Sequence, residues 1–417
     1  MMRASSIDRC VRPVAVLMLA CGIAGPVLAQ TYTSEVLTHL VALPGIPATY
    51  FFHVGTGGGA IGDGYGSATG NIPHAMYMPA GASMAIDLHP AGYLDSYALS
   101  NAPGQQVGYG WLIGVQYRAL LWTGTAGSVV NLHPAGYLFS RARATDGIQQ
   151  VGSAIPASGG GQAVVWEGTA ESVIALHPVG YRESSATGVG DGQQVGVAFL
   201  ESAPTLSRAM VWSGTAESAV DLHAAPFIQT FAFGAGGGKQ VGQAKMGSST
   251  SFAVMWSGTP ESMVNLNPAG ASSSVAYATN GEVQVGDCSL GGAAAWRGSA
   301  ESFINLHALL PEGSTWNVSR ATSIDSAGVI YGWASGTHGG VTGNYAVKWT
   351  PIAGCIAKYN GDNDVDILDF LDFMDDFSVC ENQPAPCGSF GDTDVNGDTV
   401  IDILDFLDFI DSFGTGC

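Results

Sequence analysis

Basic residues are scarce in this chain. Its 417 residues include 14 Lys and Arg against 34 Asp and Glu, a formal net charge of −20. There is no basic patch to meet a phosphate backbone, which excludes nucleic acid as a partner. Charged residues of any kind make up 12%, and amphipathic runs at helical spacing are missing from the larger part of the chain, which excludes a helical repeat there. A membrane span is lacking too, because the apolar run "VAVLMLACGIAGPVLA" falls short of the ~20 residues a spanning helix needs. A nucleophile elbow, a phosphate loop and a zinc signature are all absent.

Small and apolar residues fill the space. Glycine alone counts 59, and apolar types reach 46%, enough for a real core built from short strands and tight turns. Arg3, Arg9 and Arg12 precede the apolar run, and "VLA" ends at Ala29, so residues 1–29 read as a secretory signal peptide. A lipid anchor at Cys21 is the alternative, but Met18 and Leu19 suit it poorly. Secretion to the bacterial cell surface, medium or periplasm is the expected address. Five cysteines remain after position 29, namely Cys288, Cys355, Cys380, Cys387 and Cys417, and export permits disulfides. The last four allow three pairings. Cys355–Cys380 with Cys387–Cys417 is favoured because each closes one copy of a duplicated unit, leaving Cys288 as a buried apolar residue in a strand.

A period of about 44 residues runs through residues 34–350. A tryptophan-bearing strand ends at Trp122, Trp166, Trp212, Trp256, Trp296 and Trp349, with "HAMYM" near Met78 as its relative. An "LHP"-type strand follows at His89, His133, His177, His223, Asn267 and His307. A Ser/Ala-rich strand comes next, then a "QVG" strand at Val107, Val151, Val195, Val241 and Val285, with relatives at Ile61 and Tyr331. Asp146-Gly147, Asp191-Gly192 and Asn280-Gly281 suit type I′ turns. Four strands per period is the size of a β-propeller blade. The fold class is therefore mainly β, a seven-bladed propeller over residues 30–354, with six and eight as the neighbouring counts. The "LHP" strand occurs six times, and "EVLTHLVALPG" at 35–45 supplies the seventh. The expectation is a closing blade with two strands from the N-terminus and two from residues 328–350, which removes open edges.

The order "HAMYM/RALLW … LHPAG … S-x-A … G-x-QVG" resembles the HAF-type extracellular repeats of secreted bacterial proteins. That resemblance implies a propeller-like fold and carries over no activity. The "LHP" histidines read as turn residues bonding nearby backbone rather than metal ligands, since equivalent places in successive blades lie too far apart for one ion. The tryptophans read as inter-blade core rather than a sugar platform. Glu171, Glu217, Glu261 and Glu301 recur in one turn and read as scaffold. The unrepeated Asp63, Asp95 and Asp287 are open to chemistry but have no evident partner.

Fifteen of the acidic residues follow Cys355, against the single base Lys358. "DVNGDTVIDILDF" (394–406) and "KYNGDNDVDILDF" (358–370) place oxygen donors as a calcium loop does, at positions 1, 3, 5, 7, 9 and 12. In the second copy these are Asp394, Asn396, Asp398, the Val400 carbonyl, Asp402 and Asp405. The first copy keeps Asn360, Asp362, the Asp364 carbonyl, Asp366 and Asp369. Lys358 stands where the first aspartate belongs, and an ammonium offers no lone pair. A strong second Ca²⁺ site and a weak first one are expected. After the second loop, Ile403, Phe406, Leu407 and Ile410 share one helical stripe.

Together the two copies, residues 355–417, resemble a dockerin domain, a small α-helical pair of EF-hand-like calcium units. The resemblance implies calcium binding and a cohesin-like partner. Ile367-Leu368 and Ile403-Leu404 depart from the Ser-Thr pairs of the cellulosomal type, and helix-to-helix packing is the alternative use of that face. The functional expectation is a secreted, non-enzymatic binding or cell-surface protein, with an extracellular protein or glycan as the propeller's partner. A carbohydrate-active enzyme attached through a dockerin, and a structural surface spacer, are the alternatives.

Overall fold

Along Tyr181–Gly190 burial alternates residue by residue, whereas Gln193–Leu200 and Ser207–Trp212 are buried over most of their lengths. Strict alternation marks a strand with two different faces, and a continuous buried run marks one covered on both. These strands form one blade, and the computed structural model repeats it seven times. It describes residues 32–40, 46, 48–247 and 250–352, with Leu371, Phe373, Met374, Asp376, Phe377, Cys380, Ile401 and Phe406 of the tail. Seven four-stranded antiparallel sheets make up a seven-bladed propeller.

Blades 1 to 6 span residues 48–87, 93–131, 137–175, 181–221, 229–265 and 274–305. Within each, the Ser/Ala-rich strand comes first, then the "QVG" strand, then the tryptophan strand, then a two-residue strand just before the "LHP" turn. A blade thus begins after the histidine turn, at a different phase from the period as written in sequence. Blade 7 consists of Thr315–Ile324, Ile330–His338 and Val341–Pro351, with Tyr32–His39 paired along Val341–Pro351. The closing blade is therefore one N-terminal strand plus three, not two plus two, and Ala48–Val54 opens blade 1 instead. A period carries no phase. Tight hairpins keep the three long strands of a blade together, so the break falls at the Pro/Gly connection.

The tryptophans are the inter-blade core. Trp166 of blade 3 packs on Val107, Ala119, Leu121 and Leu132 of blade 2, and Trp256 of blade 5 on Val195, Ala209 and Leu222 of blade 4. All six named tryptophans are 0% exposed. Removing an indole from water contributes roughly 4–6 kcal/mol by area, an upper figure. The "QVG" glycine is fixed by close approach. A Cβ on Gly152 would lie 1.9 Å from the Arg141 carbonyl, beside a bulge in the neighbouring strand. The glutamine before it is buried as well: Gln150 Oε1 accepts the Gly168 N–H at 2.7 Å, and its Nε2 donates to Gln105 of the previous blade at 3.1 Å.

Of the three expected I′ turns, Asp191-Gly192 has positive φ at both residues and joins Gly190 to Gln193 directly. At Asp146 and Asn280 the loop is longer, and only the glycine has positive φ. There the side chain builds the turn, with Asp146 Oδ1 accepting the Ile148 and Gln149 N–H groups at 2.9 and 2.7 Å. Cys288 is a free thiol, 4% exposed, in the strand Gln284–Cys288. In the tail, Phe373 stacks on Phe377 with centroids 5.6 Å apart, and Phe377 meets Phe406 at 5.8 Å. Cys380 is disulfide-bonded, and its partner is outside the described residues. Residues 1–29 lie outside them too. Among the described residues no helix is long and apolar enough to cross a membrane.

Candidate functional site

The first strand of each blade turns one face to its neighbour and the other to the propeller axis. Around that axis lies a cavity of about 1000 Å³. Leu99, Arg143, Thr187, Phe233, Tyr277 and Thr322, one from each of blades 2 to 7, line it at equivalent places, and Phe52 completes the ring from blade 1. On one arc glycine lets the strands approach closely: a Cβ on Gly190 would sit 2.2 Å from the Ala235 carbonyl. Across the seam of ring closure, Thr322 Oγ1 donates to the Val54 carbonyl at 2.7 Å and Ser323 Oγ donates to it at 2.8 Å.

Each rim carboxylate gives one oxygen to backbone N–H groups. Besides Asp146, Asp325 Oδ1 accepts from Ala327 and Val329 at 3.0 and 2.9 Å, and Asp191 Oδ2 accepts the Gly237 N–H at 2.5 Å. Arg320 donates through Nε to Asp287 Oδ2 at 2.8 Å, and Tyr277 Oη donates to the same oxygen at 3.3 Å. Burial, then the Asp287 charge, raise the Tyr277 pKa. His53 also lines the cavity, and burial lowers its pKa to about 4.

The residues singled out in the sequence fall into place unevenly. Asp287 has a partner after all, Arg320, from the next blade. Asp95 Oδ1 accepts the Trp111 N–H at 3.0 Å, and burial raises the Asp63 pKa. Glu171, Glu217 and Glu261 are exposed in short 3-10 turns whose serine does the bonding, as Ser172 Oγ does to the Thr169 carbonyl at 2.7 Å. The "LHP" histidines bond locally, as expected of turn residues. His133 Nε2–H donates to the Tyr137 carbonyl at 3.0 Å, so its Nδ1 accepts from Ser140 Oγ at 2.8 Å. In blade 6, Asn267 Nδ2 donates to the Ala271 carbonyl at 3.1 Å, while its Oδ1 accepts from Ser274 at 2.7 Å. Burial, then the Arg118 charge, lower the His133 pKa.

The calcium-loop residues Asn360, Asp362, Asp364, Asp366, Asp369, Asp394, Asn396, Asp398, Val400, Asp402 and Asp405 lie outside the described residues. Among the described residues no group of three or more His, Cys, Asp or Glu is placed to hold a metal ion. Sequence reading missed Arg143, Arg320 and His53. The signal for the two arginines was present as an exception: where repeats recur, recurring positions build the scaffold, and the places that differ from blade to blade face the axis.

No family model matches the chain, and no curated protein matches it. Solved structures similar to it include a puromycin hydrolase, at 13% identity and a TM-score of 0.49 over 73% of this chain and 53% of that one. The polysaccharide lyase Uly1 is similar at 10% identity and a TM-score of 0.43 over 76% and 93%. TolB from Acinetobacter baumannii is similar at 10% and 0.38 over 59% and 62%. The chain spans about half the length of the puromycin hydrolase it matches. None of these supplies an activity or a residue role here, and the chain stands as a seven-bladed β-propeller on its own strand order.

Proposed function

We propose that the protein is a secreted, non-enzymatic binding protein, whose propeller takes a ligand in its axial cavity and whose residues 355–417 form a calcium-loaded docking module of the dockerin type. The observation that carries the first half is the state of the cavity's acids. Of the acids that line it, Asp146 and Asp325 each hold a turn by accepting two backbone N–H groups through one oxygen, and Asp191 accepts the Gly237 N–H through one of its own. A catalytic carboxylate pair needs two free groups in different environments at one place. The small-residue walls and the open volume suit binding instead. The HAF-type resemblance and the export signal agree with a cell-surface or extracellular address, where the ligand is a glycan or a protein.

For the second half, the donor set is the argument. Asp394, Asn396, Asp398, the Val400 carbonyl, Asp402 and Asp405 are oxygen donors throughout, as a hard cation requires. The Phe377–Phe406 contact supports pairing of the two units through their apolar faces. In the first unit Asn360, Asp362, Asp364, Asp366 and Asp369 would hold the weaker ion, with Cys355–Cys380 and Cys387–Cys417 closing one unit each. A cohesin-like partner belongs to the same reading.

The full chain, immobilised with calcium or with chelator, is exposed to extracellular proteins and a glycan panel. Specific capture without turnover of the captured species is expected, and hydrolysis of a captured glycan would overturn the binding reading. Calorimetric calcium titration tests the tail. One tight ion is expected for the natural chain, and Lys358→Asp adds a second. Identical melting curves in chelator and in millimolar calcium would end the calcium proposal.

A further inference from the structure

Arg141 and Arg143 sit two residues apart on the first strand of blade 3, Tyr137–Thr145, so both side chains leave the same face of it. Neither makes an ion pair or a hydrogen bond among the described residues. Arg141 is covered by aromatic faces, its guanidinium 4.6 Å from the Tyr109 centroid and 4.9 Å from that of Tyr117. Arg143 has no such cover. Its Nε is shut off from solvent and unpartnered, and burial followed by the Arg141 charge lowers its pKa.

This isolation is unusual in its setting. The chain has a net charge of −20, and Arg320, the other guanidinium at the axial cavity, is committed to Asp287. Asp146 lines the same cavity, but it makes no ion pair with Arg143 and holds its own turn. A guanidinium drawn partly out of water without a countercharge destabilises the fold. Its planar fork of donors is shaped for a carboxylate or a phosphate. Arg143 also borders a second cavity of about 510 Å³ beside blade 4, so the residue stands between two open spaces. Phe233 and Tyr277, their rings 6.0 Å apart, give the axial cavity an aromatic wall. Its volume lies in the usual range of small-ligand pockets, about 300–1,000 Å³.

We infer that Arg143 anchors the oxyanion group, carboxylate or phosphate, of a small ligand in the axial cavity, with Phe233 and Tyr277 receiving the ligand's apolar body. The inference rests on reading the propeller as a ligand-binding domain and narrows the ligand to an acid.

The test is calorimetric titration of the full chain, at constant ionic strength, with benzoate, phenyl phosphate and benzyl alcohol. These share an aromatic body and differ in head group. Saturable binding of at least one acid and none of the alcohol is expected, and the better acid identifies the head group. Arg143→Gln should weaken that binding about tenfold or more, while Arg143→Lys keeps a part of it, because charge survives without the fork. Arg182→Gln, an exposed site, should leave it unchanged. If Arg143→Gln fails to fold, the lysine variant decides alone. No saturable binding of either acid, or equal binding by the natural chain and the Arg143 variant, overturns the inference. Equal binding of the alcohol overturns the oxyanion claim while leaving the cavity a ligand site.

Discussion

Ser140 accepts the Ala119 N–H at 2.9 Å and donates to His133, and in blade 6 Ser274 stands in the same relation to Ala253 and Asn267. The serine is the hub, and the residue after the leucine only has to accept on one side and donate on the other. Ser140→Ala therefore strands a buried N–H and should cost about 1–3 kcal/mol in denaturant unfolding, whereas His133→Asn should cost about 1 kcal/mol or less. Equal losses would show that the imidazole ring itself matters. His53 gives the chain an acid limit. The ring titrates near 6.5 when unfolded and at about 4 when folded, so between those values the unfolded chain binds more protons. Stability is full above pH 6.5 and declines as pH falls toward 4, by at most ~3 kcal/mol. Melting curves across that range should show the slope, and His53→Gln should flatten it. An unchanged slope in the variant would assign it to the carboxylates.

At the scale of the blade, contact rather than conformation explains the glycine that ends each "QVG". Gly152→Ala forces a methyl onto the Arg141 carbonyl, 1.9 Å away, beside the bulge of the neighbouring strand, and should cost about 3 kcal/mol. Gly136→Ala is the contrast: its φ is +85°, but nothing lies within 4 Å of the added carbon, so strain alone applies, about 1 kcal/mol. Comparing the two by denaturant unfolding separates the effects, and similar losses would refute the crowding argument. Blade content was legible in the sequence because each strand type recurs with its own residues: Trp for the inter-blade core, Gly for the bulge, His or Asn for the turn. Turn type was legible only where the loop was short. Asp191-Gly192 bridges two residues directly, whereas at Asp146 and Asn280 added loop length let a carboxylate or an amide build the bend.

For the whole molecule, counting repeats gave seven blades, but not where a blade starts, since a circular arrangement looks the same from any origin. The axial cavity was hidden for a related reason. Arg143 and Tyr277 come from blades 3 and 6 and meet only once the ring exists, and neither has a motif around it. The strand pairing that sets the origin, Tyr32 with Pro351 at one end and His39 with Tyr345 at the other, joins the two ends of the described propeller. Hairpins inside blades 2 to 6 need only near neighbours, so they can form while the rest of the chain is still arriving. Tyr32–His39 has to wait for the final blade, and loop-closure entropy slows such distant pairing. Until that strand docks, Val341–Pro351 and Tyr32–His39 each carry an unpaired edge. Slippage at that join would expose them to a second molecule, making the last step of assembly the one most open to misassociation.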